Sequence, residues 1–332
     1  MKIVFFSAKA YDREFFESCN EAYGFELEFW ETHLGPHIAD AVKEGTDAVC
    51  VFVNDKLNAE VIEVLAQKGV KIIALRCAGF NNVDLEAAKQ YGIRVCRVPA
   101  YSPQAVAEHA VAMLLTLNRK THKAYNRVRE QNFSLSGLMG FNLFGKTVGV
   151  IGTGKIGAAF CKIMLGFGCV VLASDPFEDE ALRHAGVRYM PFHEVIKEAD
   201  VISLHCPLTP DNHHLIGSAS LSAMKKGVTL INTSRGGLIH TRDVIDALKT
   251  GQVAALGIDV YEQEEKLFFK DLSGSIIGDD DIQRLISFPN VLVTGHQAFF
   301  TQEALTEIAE STLGTVKAIL EGGDVGDGAV LV

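Results

Sequence analysis

Arg235 stands in the stretch Asn232-Thr233-Ser234-Arg235-Gly236-Gly237, at the end of the apolar run Thr229–Asn232. Arginine offers a planar, permanently charged fork that matches a carboxylate. An acidic run, Glu262-Gln263-Glu264-Glu265, follows the apolar segment Ala255–Ile258, and His296 follows Val291–Val293 within Thr294-Gly295-His296-Gln297. An imidazole exchanges protons near neutral pH, and a neighbouring carboxylate orients the ring and favours its charged form. Fork, carboxylate and imidazole together suit hydride transfer at a 2-oxo acid, where reduction of a carbonyl leaves negative charge on oxygen. Spacing does not choose among Glu262, Glu264 and Glu265. Position also leaves His296 in competition with His205, which likewise follows an apolar run, while His213-His214 reads as a solvated pair.

A second constellation supplies the partner that such chemistry requires. Gly152-Thr153-Gly154-Lys155-Ile156-Gly157 follows the apolar run Thr147–Ile151, and Asp175 lies eighteen residues beyond the last glycine. This is a strand, a glycine turn, a helix and a second strand ending in an acid. The first glycine permits the turn, the second admits a pyrophosphate, and the third lets helix and strand approach. The helix N-terminus then faces the phosphate charge. Asp175 at the end of Val170–Ser174 suits a ribose diol and repels a 2′-phosphate. No basic residue directly follows it in Asp175-Pro176-Phe177-Glu178-Asp179, so NAD is expected rather than NADP.

Alternating apolar runs and helical patterns must position these residues. Strands are expected near Lys2–Phe6, Glu26–Trp30, Ala48–Val53, Lys71–Leu75 and Arg94–Arg97, separated by helices near Tyr11–Tyr23, Ala59–Lys68 and Asp84–Tyr91. One long helix is expected from Pro103 to about Arg129. A second set of six strands runs from Thr147 to Val293: Thr147–Ile151, Val170–Ser174, Val201–Leu204, Thr229–Asn232, Ala255–Ile258 and Val291–Val293. The pattern predicts an α/β protein of two doubly wound parallel sheets, a Rossmann nucleotide-binding domain and a smaller flavodoxin-like substrate domain. A last helix, about Thr301–Leu320, leaves too few residues for a third domain and is expected to pack back on the first. The expected division is 1–100 with 300–332 for the substrate domain, and 101–299 for the NAD-binding domain. Ligands of open α/β sheets bind beyond the carboxyl ends of the strands, which is where Arg235, the acidic run and His296 stand.

The 332 residues suffice for two domains, and 48% hydrophobic with 22% charged residues is the balance of a soluble globular chain. A net charge of −10 without a basic cluster argues against a nucleic-acid partner, and no apolar stretch reaches membrane-spanning length. The N-terminal run Met1–Ser7 reads as a strand rather than a secretory signal. Seven cysteines at irregular spacing, with no C-x-x-C, point to reduced thiols, a cytoplasmic location and no metal site.

The series GTGKIG, CPLTPDN, NTSRGGLI, ALGIDVYE and TGHQAFFTQEAL resembles the D-isomer-specific 2-hydroxyacid dehydrogenase family across essentially the whole chain. The stretches Arg76–Asp84 and Arg97–Pro103, with the ending TGHQAFFTQEAL, are similar to its bacterial fermentative D-lactate dehydrogenases. This resemblance implies a reversible reduction of pyruvate to D-lactate by NADH in a homodimer or homotetramer whose two domains close over the substrate. It implies that Arg235 binds the substrate carboxylate, that Glu264 rather than its neighbours pairs with His296, and that His296 is the acid/base. With the glycines Gly152, Gly154 and Gly157, it assigns Lys155 and Ile156 to the pyrophosphate and Asp175 to the ribose. Cys206, Pro207, Asn212, Thr233, Ser234, Arg235 and Asp259 then line the cofactor. Ala78 and Gly79 offer backbone amides and Tyr101 a hydroxyl to the substrate, while Phe52 and Phe299 wall its methyl group. Two other readings share these motifs: a dehydrogenase for a bulkier 2-oxo acid, and an NAD-sensing, corepressor-like binding protein.

Overall fold

The computed structural model describes residues 1–332. The chain forms two compact units, Met1–Ser102 with Phe299–Val332, and Pro103–Ala298. In the first, strands β1 (Lys2–Phe5), β2 (Glu26–Phe29), β3 (Ala48–Val51), β4 (Ile72–Leu75) and β5 (Arg94–Arg97) alternate with helices α1 (Ala10–Asn20), α2 (Ala59–Gln67) and α3 (Leu85–Gln90). All five strands pair in parallel, in the order β2-β1-β3-β4-β5. The central strands AVCV and IIAL are buried at every position, because crossover helices cover both faces of such a sheet. The edge strand β2 instead carries Glu26 and Glu28, which pair with Lys2 at 3.0 and 2.7 Å. Asn58 caps α2 by accepting the Val61 amide, and Asp84 caps α3 by accepting that of Ala87. Strand order reverses between β1 and β3, so Ser7 and Phe52 flank the position where ligands enter an open sheet.

The second unit begins with α4 (Pro103–Arg119) and α5 (Thr121–Arg129) and continues through β6 (Thr147–Ile151), α6 (Lys155–Gly166), β7 (Val170–Ser174), α7 (Glu180–His184), β8 (Arg188–Tyr189), α8 (Phe192–Glu198), β9 (Val201–Leu204), α9 (Ser218–Ala223), β10 (Val228–Asn232), α10 (Thr241–Thr250), β11 (Val253–Ile258), α11 (Asp280–Ser287) and β12 (Val291–Val293). The strands form one parallel sheet, β12-β11-β10-β9-β6-β7-β8, a Rossmann order extended by one strand. Its direction of growth reverses between β6 and β9. The turn Gly152–Gly157 follows the first of these strands and His205-Cys206-Pro207 the second.

Two expectations are corrected here. The single helix from Pro103 to Arg129 is two helices, broken at Lys120, which has a left-handed φ of 51°. The Lys120 ammonium donates to the carbonyls of Gly137 and Met139 at 2.9 and 3.2 Å, which ties the break to the following loop. The sheet has seven strands rather than six: β8 is two residues long and carries an arginine, too short to show a period.

The chain then returns to the first unit as α12 (Gln302–Glu321), capped by the Thr301 hydroxyl and stopped by Gly322 in the left-handed region. Ala304, Leu305, Ile308, Ala309, Leu313 and Val316 form its buried face, and it packs against α1.

Candidate active site

Backbone proximity explains the glycine turn. Gly152 has a φ of +92°, and a Cβ there would lie 2.6 Å from the Cys206 nitrogen. A Cβ on Gly157 would lie 2.0 Å from the Gly152 carbonyl oxygen, so α6 can begin this close to β6 only with glycine. A Cβ on Gly154 would meet nothing within 4 Å, and Gly154 and Lys155 are exposed at the start of α6. The turn is thus tight on the inside and open where a pyrophosphate would lie against the helix N-terminus. Ile156 is half-buried at the same end.

Asp175 follows β7 and is fixed by two backbone amides: Thr153 donates at 2.6 Å and Phe177 at 2.8 Å. The carboxylate is thereby locked to the glycine turn itself. The loop after β9 is closed by Asn212, whose side chain donates to the Pro207 carbonyl at 2.7 Å and accepts from the Thr209 amide at 2.7 Å. Cys206 has its thiol pushed up to about 11 by burial, so it stays neutral near pH 7. Ser234 donates to the Cys206 carbonyl at 2.6 Å and joins the loops after β9 and β10. Thr233 is buried with a hydroxyl that has no partner. An open cradle, a fixed acid and a buried hydroxyl awaiting a polar group fit a dinucleotide.

The three residues expected to do chemistry come from three loops. Arg235 is exposed at the turn after β10, with one terminal nitrogen bonded to the Ser234 carbonyl at 2.8 Å. Behind it, fully buried Asn232 donates to the Arg235 carbonyl at 2.9 Å and accepts from the Ser234 amide at 3.0 Å. Gly236 lies so close to the next loop that a Cβ would stand 2.1 Å from the Tyr261 carbonyl carbon. Glu264 is held by the Tyr261 amide, which donates to Oε2 at 2.9 Å. Its Oε1 lies 2.9 Å from Nδ1 of His296, with both side chains about one quarter exposed, 24% and 23%. The structure therefore singles out Glu264 from the acidic run; Glu262 turns instead to His214 and Thr241.

His296 has a left-handed φ of 54°, an uncommon state for a residue with a Cβ. Asp259 enforces it. Its carbonyl accepts the His296 amide at 2.7 Å, and its fully buried carboxylate accepts from the Thr294 hydroxyl at 2.5 Å and the Gln297 and Ala298 amides at 2.9 Å each. Burial alone would raise the pKa of this acid, but His109, Thr294 and the two amides outweigh it and hold the carboxyl below its ordinary value. Asp259 thus devotes its carboxylate to the loop that carries His296. His205 is a different kind of histidine. It bonds Ser203 at 2.8 Å, its ring packs 4.8 Å from that of Phe160, and burial pushes its pKa down to about 3. Near neutrality its ring is therefore held uncharged.

In the first unit, Phe52 and Tyr101 each approach Phe299, with ring centroids 6.4 and 6.2 Å apart. Phe52 sits on a braced loop: its amide donates to Asp55 at 2.6 Å, Asn82 donates to its carbonyl at 2.9 Å, and the Arg76 guanidinium lies 5.0 Å from its ring centre. Ala78 and Gly79 have their carbonyls bonded by Arg97 and the Cys77 thiol, while their amides make no hydrogen bond within the chain. Sequence reasoning named the wall residues but missed the braces Asn232, Asp55, Asn82 and Arg76. Only their neighbourhood in a motif could have signalled them.

Residues 111–298 match the NAD-binding domain of the D-isomer-specific 2-hydroxyacid dehydrogenases, and the chain belongs to that family. It carries an NAD-binding Rossmann domain and is an NAD-dependent oxidoreductase of the 2-hydroxyacid type. It is 52% identical to the D-lactate dehydrogenase of Escherichia coli, over 97% of this chain and 98% of that one. The apo structure of that enzyme superposes with a TM-score of 0.92, covering all of both chains at 50% identity. D-2-hydroxyisocaproate dehydrogenase superposes at 0.88, covering all of this chain and 99% of that one, at 33% identity.

Proposed function

We propose that the chain reduces pyruvate to D-lactate with NADH, reversibly, and that Arg235, Glu264 and His296 carry the chemistry. The observation that carries this reading is the His296–Glu264 pair: Nδ1 is committed to the carboxylate, which leaves Nε2 as the nitrogen that meets substrate. When bound, NADH supplies the hydride. His296, charged before reduction, gives its proton to the substrate oxygen and regains it in the reverse direction. Glu264 stabilises the imidazolium and fixes the ring. Arg235 binds the substrate carboxylate with its fork and draws electron density from the carbonyl. Within the first unit, Ala78 and Gly79 offer free amides and Tyr101 a hydroxyl to a substrate carboxylate, and Phe52 with Phe299 walls a methyl group. Gly152, Gly154, Lys155, Ile156 and Gly157 hold the pyrophosphate and Asp175 the ribose. Cys206, Pro207, Asn212, Thr233 and Ser234 line the nicotinamide half, with Asp259 setting the loop behind it.

Turnover of NADH with a panel of 2-oxo acids, followed by chiral analysis of the product, tests this. Pyruvate should be preferred and the product should be D-lactate. Equal or better turnover of 2-oxoisocaproate or phenylpyruvate would replace the substrate assignment with that of a bulkier acid.

We infer further that the protein works in the cytoplasm as a homodimer or homotetramer. All seven cysteines are free thiols, and no helix is long and apolar enough to cross a membrane. Phe133, Leu135, Met139 and Phe144 stand 73–87% exposed in the segment after α5, an apolar surface of the kind that associating proteins cover. Sedimentation equilibrium should give a mass of at least twice 36.1 kDa.

A further inference from the structure

We propose that His213, His214 and Glu262 form a site for a divalent transition-metal ion of the zinc class. One ligating atom from each residue lies within 4.8 Å of the others. Zinc bonds of about 2.0–2.1 Å to nitrogen and oxygen place tetrahedral ligands roughly 3.4 Å apart, so small side-chain rotations suffice. Two imidazoles and a carboxylate suit zinc-class ions, whereas magnesium and calcium take oxygen donors.

Three features build this arrangement. Adjacent residues of an extended chain point to opposite sides, but His214 has a left-handed φ of 56°, which brings its ring alongside that of His213 with centroids 3.7 Å apart. Glu262 arrives from the loop after β11, and its Oε1 lies 2.6 Å from Nε2 of His214. Its Oε2 accepts the Thr241 amide at 2.9 Å and also the Thr241 hydroxyl. Ligating carboxylates are held by this kind of outer hydrogen bond. A bound ion would replace the proton between His214 and Glu262 and leave one position for water. His240, with its ring 4.6 Å from that of His214 and Nδ1 2.9 Å from Asp243, adjoins the cluster. The ion would join the loop after β9 to the loop after β11, two residues from Glu264. This inference does not depend on which 2-oxo acid the protein reduces.

Calorimetric titration of chelator-treated full-length protein with Zn²⁺ tests it. The expected result is saturation at one equivalent per chain, accompanied by a rise in melting temperature. His213 is exposed and its side chain makes no hydrogen bond, so His213→Ala should fold normally and weaken Zn²⁺ binding at least about tenfold. His214→Gln, which can still bond Glu262, should do the same. Thr241→Val keeps the amide contact, loses the hydroxyl and should weaken binding by about 10–100-fold. The proposal is overturned if wild type shows no saturable binding, if both histidine variants titrate as wild type, or if Mg²⁺ competes as well as Zn²⁺.

Discussion

The two ring nitrogens of His296 are not equivalent, since Nδ1 faces Glu264 and Nε2 is the nitrogen proposed to meet the substrate. Glu264→Gln keeps the size of the side chain but replaces the charged acceptor that holds Nδ1. It should lower kcat/KM for pyruvate by about tenfold or more, as expected for losing a charge-assisted hydrogen bond of roughly 1.5–3 kcal/mol. Wild-type kinetics in that variant would separate Glu264 from the reaction. Arg235→Lys keeps the charge but loses the planar fork. It should lower kcat/KM on the order of a hundredfold, from the roughly 2–4 kcal/mol attached to a preorganised electrostatic contact. Wild-type kinetics in that variant would remove Arg235 from the substrate. At this scale spacing supplied residue types but left partners undecided, and Glu264 was named only through the family resemblance. Three acids in one run are equivalent by spacing, and the Tyr261 amide and the position of His296 give the physical reason for Glu264.

Among the elements, the strand ends and the turns that follow them carry the residues proposed to set specificity. Asp175 ends β7 and is locked by the Thr153 and Phe177 amides, so its charge has a fixed direction. Asp175→Ala should weaken NADH binding and narrow its lead over NADPH, measurable as the ratio of kcat/KM for the two cofactors. Efficient use of NADPH by wild type would contradict the assignment. The loop after β3 holds Phe52 between Asp55, Asn82 and Arg76. Phe52→Leu should raise turnover of 2-oxoisocaproate relative to pyruvate, because apolar pockets discriminate by about 1–3 kcal/mol per methylene. An unchanged ratio would reduce Phe52 to packing. The long buried strands of both sheets were legible because continuous apolar runs and glycine punctuation are local signals. The two-residue β8 and the break at Lys120 were not, since one is shorter than any period and the other is fixed by distant carbonyls.

For the molecule as a whole, a half-buried histidine held uncharged links stability to pH. The folded-state value of about 3 for His205 lies below its ordinary 6.5, so unfolding takes up a proton at acid pH. Its contribution is fully present above pH 6.5 and is lost as pH falls toward 3. Urea unfolding should show about 2 kcal/mol of stability lost from this group between pH 7.5 and 5. His205→Gln should flatten that part of the decline, and an equal decline in both proteins would mean that the histidine is hydrated. The sequence by itself determined the fold class and the glycine turn with its acid, because both rest on short-range order, periodicity and turn chemistry, and it showed the family through a resemblance of motifs spread along the whole chain. Tertiary structure decided what joins residues far apart in the chain. It set Glu264 against His296, turned Asp259 into the clamp of the histidine loop, held His205 uncharged, and gathered His213, His214 and Glu262. Those outcomes depend on which loops the seven-stranded sheet brings together, and no local pattern of side chains encodes that distance.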